Sequence, residues 1–460
     1  MHFDVFQKFK ESPFSVLRSS HEPTLIVYDV LGHFPQPRNS IPKELAYNFN
    51  LRSKNGFLFS KKKDVVLTSE LLNSSHRNWL QESGLAQGEA CLAHYDQTNP
   101  HTSYAEIFVT CSKSIAQLKK LVQSYGVKSL FSWMNTETEM DLAKSMNIDL
   151  AWTSDLGLIQ NQFNKTTFKT FLASINLPIV RGGSFAFQSC ATLKENLSLL
   201  EKQIQILDDH SSPSGNPSGS SSDYIIKPVD SAAGCSVVRF TYQDRTQVLE
   251  KIVQFENTNW LIEKYIAHEH SVNIQTFIQS DAIYFLGASE QILDDFSYQG
   301  NIWDNRLAHS DAYKNALHQT KLISKRLQEM GYRGLIGLDF LLLKNGLAFC
   351  LENNIRINGS TFALTLIAEI ERRGFSLLNW CFKKYQIEGI VPFPAIADTL
   401  HASLVTIPSF KDKGIFIQEY HTVNNKTVLA LIFIAVHKND LNLLEADLIK
   451  RLETFNEIHK

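Results

Sequence analysis

Asp339, Glu352 and Asn354 are the residues of this chain best suited to hold a charged ligand. They lie in GLIGLDFLLLKNGLAFCLENNIRINGST, residues 334–361, where Asn345-Gly346 separates two apolar runs. Asn-Gly in that setting is a strong short-range signal for a two-residue β-hairpin, because both turn positions need φ > 0. Counting outward from such a turn pairs Lys344 with Leu347, Leu341 with Cys350 and Asp339 with Glu352. Like charges directly opposite each other destabilise a strand pair, so this otherwise apolar ribbon needs a compensating cation. Asn354, two residues past Glu352, projects from the same face of its strand. An all-oxygen set with Arg356 close behind suits Mg²⁺ carrying phosphates far better than zinc. The bland alternative is the solvated outer face of an amphipathic hairpin. Against it, the intervening residues are apolar on both faces, as in a buried strand pair.

Three upstream segments could complete a phosphate site. In NKTTFKTFLASINLPIV (164–180), Lys165 opens a helix whose apolar positions Phe168, Phe171 and Leu172 fall at helical spacing. In DYIIKPVDSAAGCSVVRF (223–240), a short apolar strand delivers Lys227, and a small-residue loop follows Pro228. Such a loop can bend over phosphates, offering backbone N–H groups around Gly234 and the hydroxyls of Ser231 and Ser236. In NWLIEKYIAHEHSVNIQTFI (259–278), two strands flank a bend. If that bend faces a nucleotide, the chain from Glu263 through Lys264 and Tyr265 to Ile266 can offer backbone donor and acceptor to adenine, with Glu269 accepting from ribose hydroxyls. Each segment alone is equally what an ordinary hairpin or solvated lysine would give. Cys235 reads as a small thiol within the loop, and His268 and His270 as hinge surface, not metal ligands.

The elements that must position these groups follow from texture and length. At 460 residues the chain exceeds one ordinary core, and about three units is the expectation. TLIVYDVLG (24–32) reads as a strand running into a loop, and KSIAQLKKLVQSYGVKSLFSW (113–133) as an amphipathic helix stopped at Gly126 before another strand. This alternation implies a parallel sheet covered by helices. The Ser/Gly/Pro-rich stretch 208–222 reads as a mobile surface loop. TVLALIFIAV (427–436) is too short to span a bilayer and reads as a buried strand, ahead of a final helix over 440–455. The domain boundaries are therefore 1–160 for an α/β unit, 161–375 for an α+β unit (161–265 and 266–375), and 376–460 for a small α+β region.

Basic and acidic residues number 45 and 47, without a basic tract, which argues against nucleic acid as a partner. The N-terminus lacks the continuous apolar core of a secretory signal, and no membrane partner is expected. The six cysteines show no Cys-x-x-Cys pair, which fits a reducing, cytoplasmic setting.

Taken in order, the lysine before a helix, the Lys-Pro strand with its small-residue loop, the Glu-Lys-Tyr-Ile hinge and the Asp…Glu-x-Asn-x-Arg cluster resemble the ATP-grasp superfamily over about residues 160–375. The resemblance implies ATP held between two α+β subdomains behind a pre-ATP-grasp domain. It further implies Lys165 and Lys227 on phosphate, Glu263 to Ile266 on adenine and Glu269 on ribose. Two Mg²⁺ ions would sit on Asp339, Glu352 and Asn354, with Glu352 bridging, and Arg356 would stabilise the phosphoryl group in flight. Arg356 followed by Gly359, Ser360 and Thr361 is similar to the peptide ligases of pheganomycin type, which join an amino acid derivative to an amino acid or peptide. Phe362 stands where those ligases usually have histidine, and the phosphate loop has one glycine where many relatives have several.

The implied chemistry is a carboxylate taking the phosphoryl group to give an acyl phosphate, which an amine then attacks. The implied partners are small carboxylate and amine substrates, and the resemblance is compatible with a homodimer. The loop 289–306, with Glu290 and Arg306, has the polar and aromatic mixture of a substrate loop. A small-molecule kinase of the same fold and a nucleotide-binding module without turnover are the alternatives.

Overall fold

The computed structural model describes residues 5–458 except 20, 35–37, 39–40, 85, 89, 94–98, 154, 187–191, 210–222, 230–236, 254–258, 295 and 377. The runs Thr24–Val27 (β1), Val65–Thr68 (β2) and Ser129–Ser132 (β4) are buried at every position and form the middle of a parallel sheet. Ala90–Ala93 (β3) and Asp149–Leu150 (β5) complete its order, β3-β2-β1-β4-β5. Strands covered on both faces need continuous apolar runs, which is how these read. The helix Ser112–Tyr125 ends as its sequence implies, with Gly126 in the left-handed region at φ 66°.

A four-stranded antiparallel sheet follows, built from Gly182–Ala186 (β6), Asp223–Pro228 (β7), Val238–Thr241 (β8) and Asn259–Lys264 (β9), in the order β6-β9-β7-β8. Leu200, Ile204, Ile226, Phe240, Leu249 and Trp260 give it a small core of its own. The chain then crosses, between Lys264 and His270, into a different sheet.

That sheet has eight antiparallel strands: His270–Ile278 (β10), Ile283–Asp294 (β11), Ser297–Trp303 (β12), Gly334–Leu342 (β13), Ala348–Asn354 (β14), Asn379–Glu388 (β15), Lys413–Val423 (β16) and Lys426–Ala435 (β17). Its order is β14-β13-β10-β11-β12-β15-β17-β16, so hydrogen bonding runs unbroken past residue 376. The C-terminal strands nonetheless carry a separate core, with Ile387, Phe393, Ile396, Leu429, Leu431 and Leu448 packed beneath the helices Phe393–Leu400 and Lys438–Ile458. The apolar run at 427–436 supplies β17, buried between two neighbours. Among the described residues no helix is long and apolar enough to cross a membrane.

The β13–β14 hairpin corrects the expected turn. Its loop is Lys344-Asn345-Gly346: the Leu343 N–H donates to Leu347 O at 2.9 Å and the Gly346 N–H to Leu343 O at 3.1 Å, and only Gly346 has positive φ, at 85°. The added loop residue shifts the near end of the ribbon, so Leu341 faces Phe349 and not Cys350, which faces Phe340. Leu351 then bulges from β14 and shifts the register back, leaving Asp339 opposite Glu352. The two departures cancel where the carboxylates stand.

Candidate active site

A cavity of about 630 Å³ opens between the small and large sheets and extends to the N-terminal domain. That volume is in the range of small-molecule sites. Its charged floor is built by three elements. Asn164 caps the helix Lys165–Ser174 by accepting from the Thr166 and Thr167 N–H groups, which starts the helix at Lys165 and buries that lysine. Phe168, Phe171 and Leu172 hold the opposite face of this helix in the core. Lys227 projects from β7 and Glu263 from β9, the two inner strands of the small sheet.

Glu263 is buried between two ammonium groups. Its Oε2 lies 2.8 Å from Lys227 Nζ, and its Oε1 accepts from Lys169 Nζ, one helical turn beyond Lys165. Burial opposes its ionisation, but the two lysines outweigh that and hold the carboxyl down at about 2. For Lys227 burial is again outweighed, here by Glu263 and Glu352, and its pKa is raised. A Cβ on Gly182 would stand 2.5 Å from Ile262 O and 2.6 Å from Glu263 Cγ, so only glycine lets β6 approach this triad.

Asp339 and Glu352 face each other on the large sheet. Burial, reinforced by the Glu352 charge, pushes the Asp339 carboxyl up to about 8. For Glu352 burial acts the same way, but Lys165, at 3.1 Å from Oε2, and Lys227 bring it down to about 2. Each carboxylate thus opposes ionisation of the other, and the lysines favour the charged form of Glu352. Asp339 Oδ1 accepts from Asn273 at 2.7 Å and from Gln291 at 3.2 Å, and Oδ2 accepts from Asn354 at 2.8 Å. Among the described residues no three His, Cys, Asp or Glu side chains cluster as a metal site. A divalent cation here would rest on two carboxylates and the Asn354 amide, drawing further oxygens from phosphate and water; that donor set fits Mg²⁺.

Arg356 is buried beside this pair. It donates to Asn354 Oδ1 at 2.7 Å and to Ile357 O at 3.2 Å, and its guanidinium lies 4.8 Å from the Trp133 ring centre. Its Nε is buried and has no hydrogen-bond partner among the described residues. A buried polar chain leads away from the carboxylates: Gln275 donates to Asn273 and to Ser360, both at 2.8 Å, and Asn301 donates to Ser289 at 2.9 Å and accepts from Tyr298. Every member is fixed by a neighbour, which makes this wall rigid.

Residues 219–354 match the family model described as L-aspartate--L-methionine ligase, ATP grasp. N5-carboxyaminoimidazole synthetase from Staphylococcus aureus, complexed with ADP, superposes at TM-score 0.53 and 14% identity, covering 95% of this chain and 98% of that one. L-amino acid ligase from Bacillus licheniformis superposes at TM-score 0.50 and 11% identity, covering 94% and 97%. The fold is ATP-grasp. In sequence, the butirosin acyl-carrier protein L-glutamate ligase of Niallia circulans is 31% identical over 121 residues, which make up 25% of this chain and 28% of that protein. The matched stretch thus spans little more than a quarter of that relative.

Within this ATP-grasp fold the cavity gathers Lys165, Lys227, Glu263, Lys264, Tyr265, Ile266 and Glu269 on one side, and Asp339, Glu352, Asn354, Arg356, Gly359 and Ser360 on the other. Glu290 also lines it, with Oε1 2.7 Å from His270 Nδ1. Several expectations change. Glu263 lies inside the sheet, opposite Gly182 of β6 and Ile225 of β7, so the residue meets its lysines through its side chain and is not an adenine contact of the hinge. The Tyr265 N–H is likewise taken, by Asp223 O at 3.0 Å. Arg306 is not brought to the cavity: it is 79% exposed and bound to Asp304. Thr361 is buried below the cavity, donating to Gln275 Oε1 at 2.7 Å and accepting from the Asn358 N–H. Phe362 packs into the core near Phe14 and Phe59. Ser231, Gly234 and Ser236, and residues 210–222 of the surface loop, lie outside the described residues.

Sequence reasoning missed Lys169, Asn273, Gln291 and Trp133. Lys169 had a signal, since it lies four residues from Lys165 and so on the same helix face. Asn273 and Gln275 had one as well, as alternate polar residues in an apolar strand. Trp133 had none, because its partner Arg356 belongs to another domain.

Proposed function

We propose that this chain is an ATP-dependent carboxylate–amine ligase that forms an amide through an acyl phosphate and releases ADP and phosphate. The observation that carries this reading is Arg356, which lines the cavity beside the Asp339–Glu352 pair, where the cavity continues towards the N-terminal domain. A nucleotide laid between the sheets would leave that extension for two further reactants.

Lys165 and Lys227 would hold the ATP phosphates, and the Lys264–Ile266 hinge the adenine. Two Mg²⁺ ions on Asp339, Glu352 and Asn354, with Glu352 shared, would neutralise the phosphates and polarise the γ-phosphoryl group. Arg356 would orient the substrate carboxylate, one oxygen of which attacks the γ-phosphorus as the bond to ADP breaks. The amine then adds to the acyl carbon, phosphate leaves, and Arg356 stabilises the oxyanion that forms in between. Glu263 works at one remove, keeping Lys227 charged and placed. The L-amino acid ligase and L-glutamate ligase relatives support amino acids or short peptides as the substrate class.

The test is ADP release by the purified protein with Mg-ATP and pooled amino acids and short peptides, with products followed by mass and Glu352→Ala as the control. A product equal to acid plus amine less water, formed only when both are present, is the expected result. A product that keeps the phosphate would replace the ligase by a kinase.

A further inference from the structure

Arg52 enters the same cavity from the N-terminal domain. It directly follows the helix Lys43–Leu51, and its guanidinium lies 5.2 Å from the centre of the Phe49 ring. Among the described residues that guanidinium has no hydrogen bond and no ion pair. Glu419, in the small adjoining cleft that Arg52 also lines, is already engaged by Asn55 at 2.5 Å and by Lys384 at 3.7 Å. Between Arg52 and the carboxylate pair the cavity wall is aromatic. Tyr28 packs 6.5 Å from Trp133, and Trp133 in turn carries Arg356. Tyr28 feels the charge of both arginines. Three guanidiniums thus line the cavity: Arg356 beside the reacting centre, Arg239 bound to Asp223, and Arg52, which has no such partner, across an aromatic wall.

Arg52 lies in the field of Glu419 but forms no hydrogen bond or ion pair with it, because that carboxylate is held by Asn55 and Lys384. A partly buried guanidinium left in this way gains from an anion supplied by a ligand, and its planar fork matches a carboxylate in two parallel hydrogen bonds. We propose that Arg52 is a specificity residue that binds a non-reacting carboxylate of the substrates. The inference rests on the ligase reading, in which Arg356 takes the carboxylate that reacts. The second carboxylate has two possible sources of the same chemistry: the α-carboxylate of an amino-acid acceptor, or a second acidic group on the acyl donor.

Binding and turnover separate the outcomes. Calorimetric titration of wild type and Arg52→Gln, both saturated with Mg-ADP, is made with the L-amino acids and their α-carboxamides. Wild type is expected to bind at least one amino acid roughly 10- to 100-fold more tightly than its amide, the scale of a lost charge-assisted hydrogen-bond pair. Arg52→Gln is expected to lose that ratio and Arg52→Lys to recover part of it, with ADP affinity unchanged in both. The same acid-to-amide ratio in wild type and Arg52→Gln, or no discrimination by wild type, overturns the subsite. In turnover, an acceptor amide that raises KM for the acceptor alone assigns Arg52 to the acceptor, and a donor amide acting alone assigns it to the donor. Discrimination without any ADP release would retain the subsite and remove the ligase. Ligation with an Arg52→Gln acid-to-amide KM ratio equal to wild type would do the reverse.

Discussion

Lys165 Nζ and Glu352 Oε2 stand 3.1 Å apart, the lysine from the capped start of a helix and the carboxylate from the bulged strand β14. The contact joins a candidate phosphate ligand to a candidate metal ligand from two distant parts of the chain. Neither group is isolated: Lys227 acts on Glu352 too, and through Glu263 the network reaches Lys169. Changes at any of these charges should therefore be felt at the others.

Glu352→Gln removes one of the two facing carboxylates and the partner of Lys165. ADP release should fall by roughly 10²- to 10³-fold, as when a single electrostatic contact to a transition state is lost. Activity of the variant should also need more Mg²⁺ than wild type. A magnesium titration of initial rates checks this, and an unchanged titration midpoint would remove Glu352 from the metal site.

Glu263→Gln leaves two buried ammoniums without their shared counter-charge. Breaking a buried ion network by deleting one partner costs about 3–5 kcal/mol. Urea unfolding followed by tryptophan fluorescence should show a loss on that scale, together with weaker ATP binding. A loss below about 1 kcal/mol would contradict the burial of this triad.

Trp133→Leu removes the ring on which Arg356 lies and leaves the hydrogen bonds of Arg356 to Asn354 and Ile357 in place. A cation–π contact in a desolvated place is worth up to about 2 kcal/mol, so kcat should fall several-fold to roughly 30-fold while KM for ATP stays within about two-fold. A change in KM for ATP alone would place Trp133 at the nucleotide instead.

His76 docks the helix Ser74–Glu82 against the C-terminal unit, with its ring 4.9 Å from Phe393 and Nε2 unpartnered among the described residues. Burial lowers its pKa to about 4. The folded protein keeps this imidazole neutral while the unfolded chain protonates it near 6.5, so stability is lost as pH falls from about 6.5 towards 4. The full span is about 3 kcal/mol. Urea midpoints at pH 7.5 and 5.5 should differ more in wild type than in His76→Phe, and equal pH dependence in the two would refute the assignment.

Local signals carried much of the fold. The apolar runs of β1, β2 and β17 announce strands covered on both sides, and Gly126 announces the end of its helix through its left-handed φ. The carboxylate pair was legible as well, though by compensation. A loop one residue longer than Asn345-Gly346 suggests and an unsignalled bulge at Leu351 offset each other. Turn length and bulge both depend on what packs around the hairpin, and composition does not encode that.

By itself the sequence placed Asp339 opposite Glu352, with Asn354 following on the same strand and Arg356 close behind, through hairpin and strand geometry, whereas the phosphate roles of Lys165 and Lys227 came from the resemblance of the motifs taken in order. Only the tertiary structure decided how they are used. It paired Glu263 with Lys169 and Lys227, set Trp133 against Arg356, left Arg306 in solvent and brought Arg52 to the cavity. Periodicity reports on neighbours along one element, whereas these relations join elements far apart in the chain, and only packing of the cores determines which of them meet.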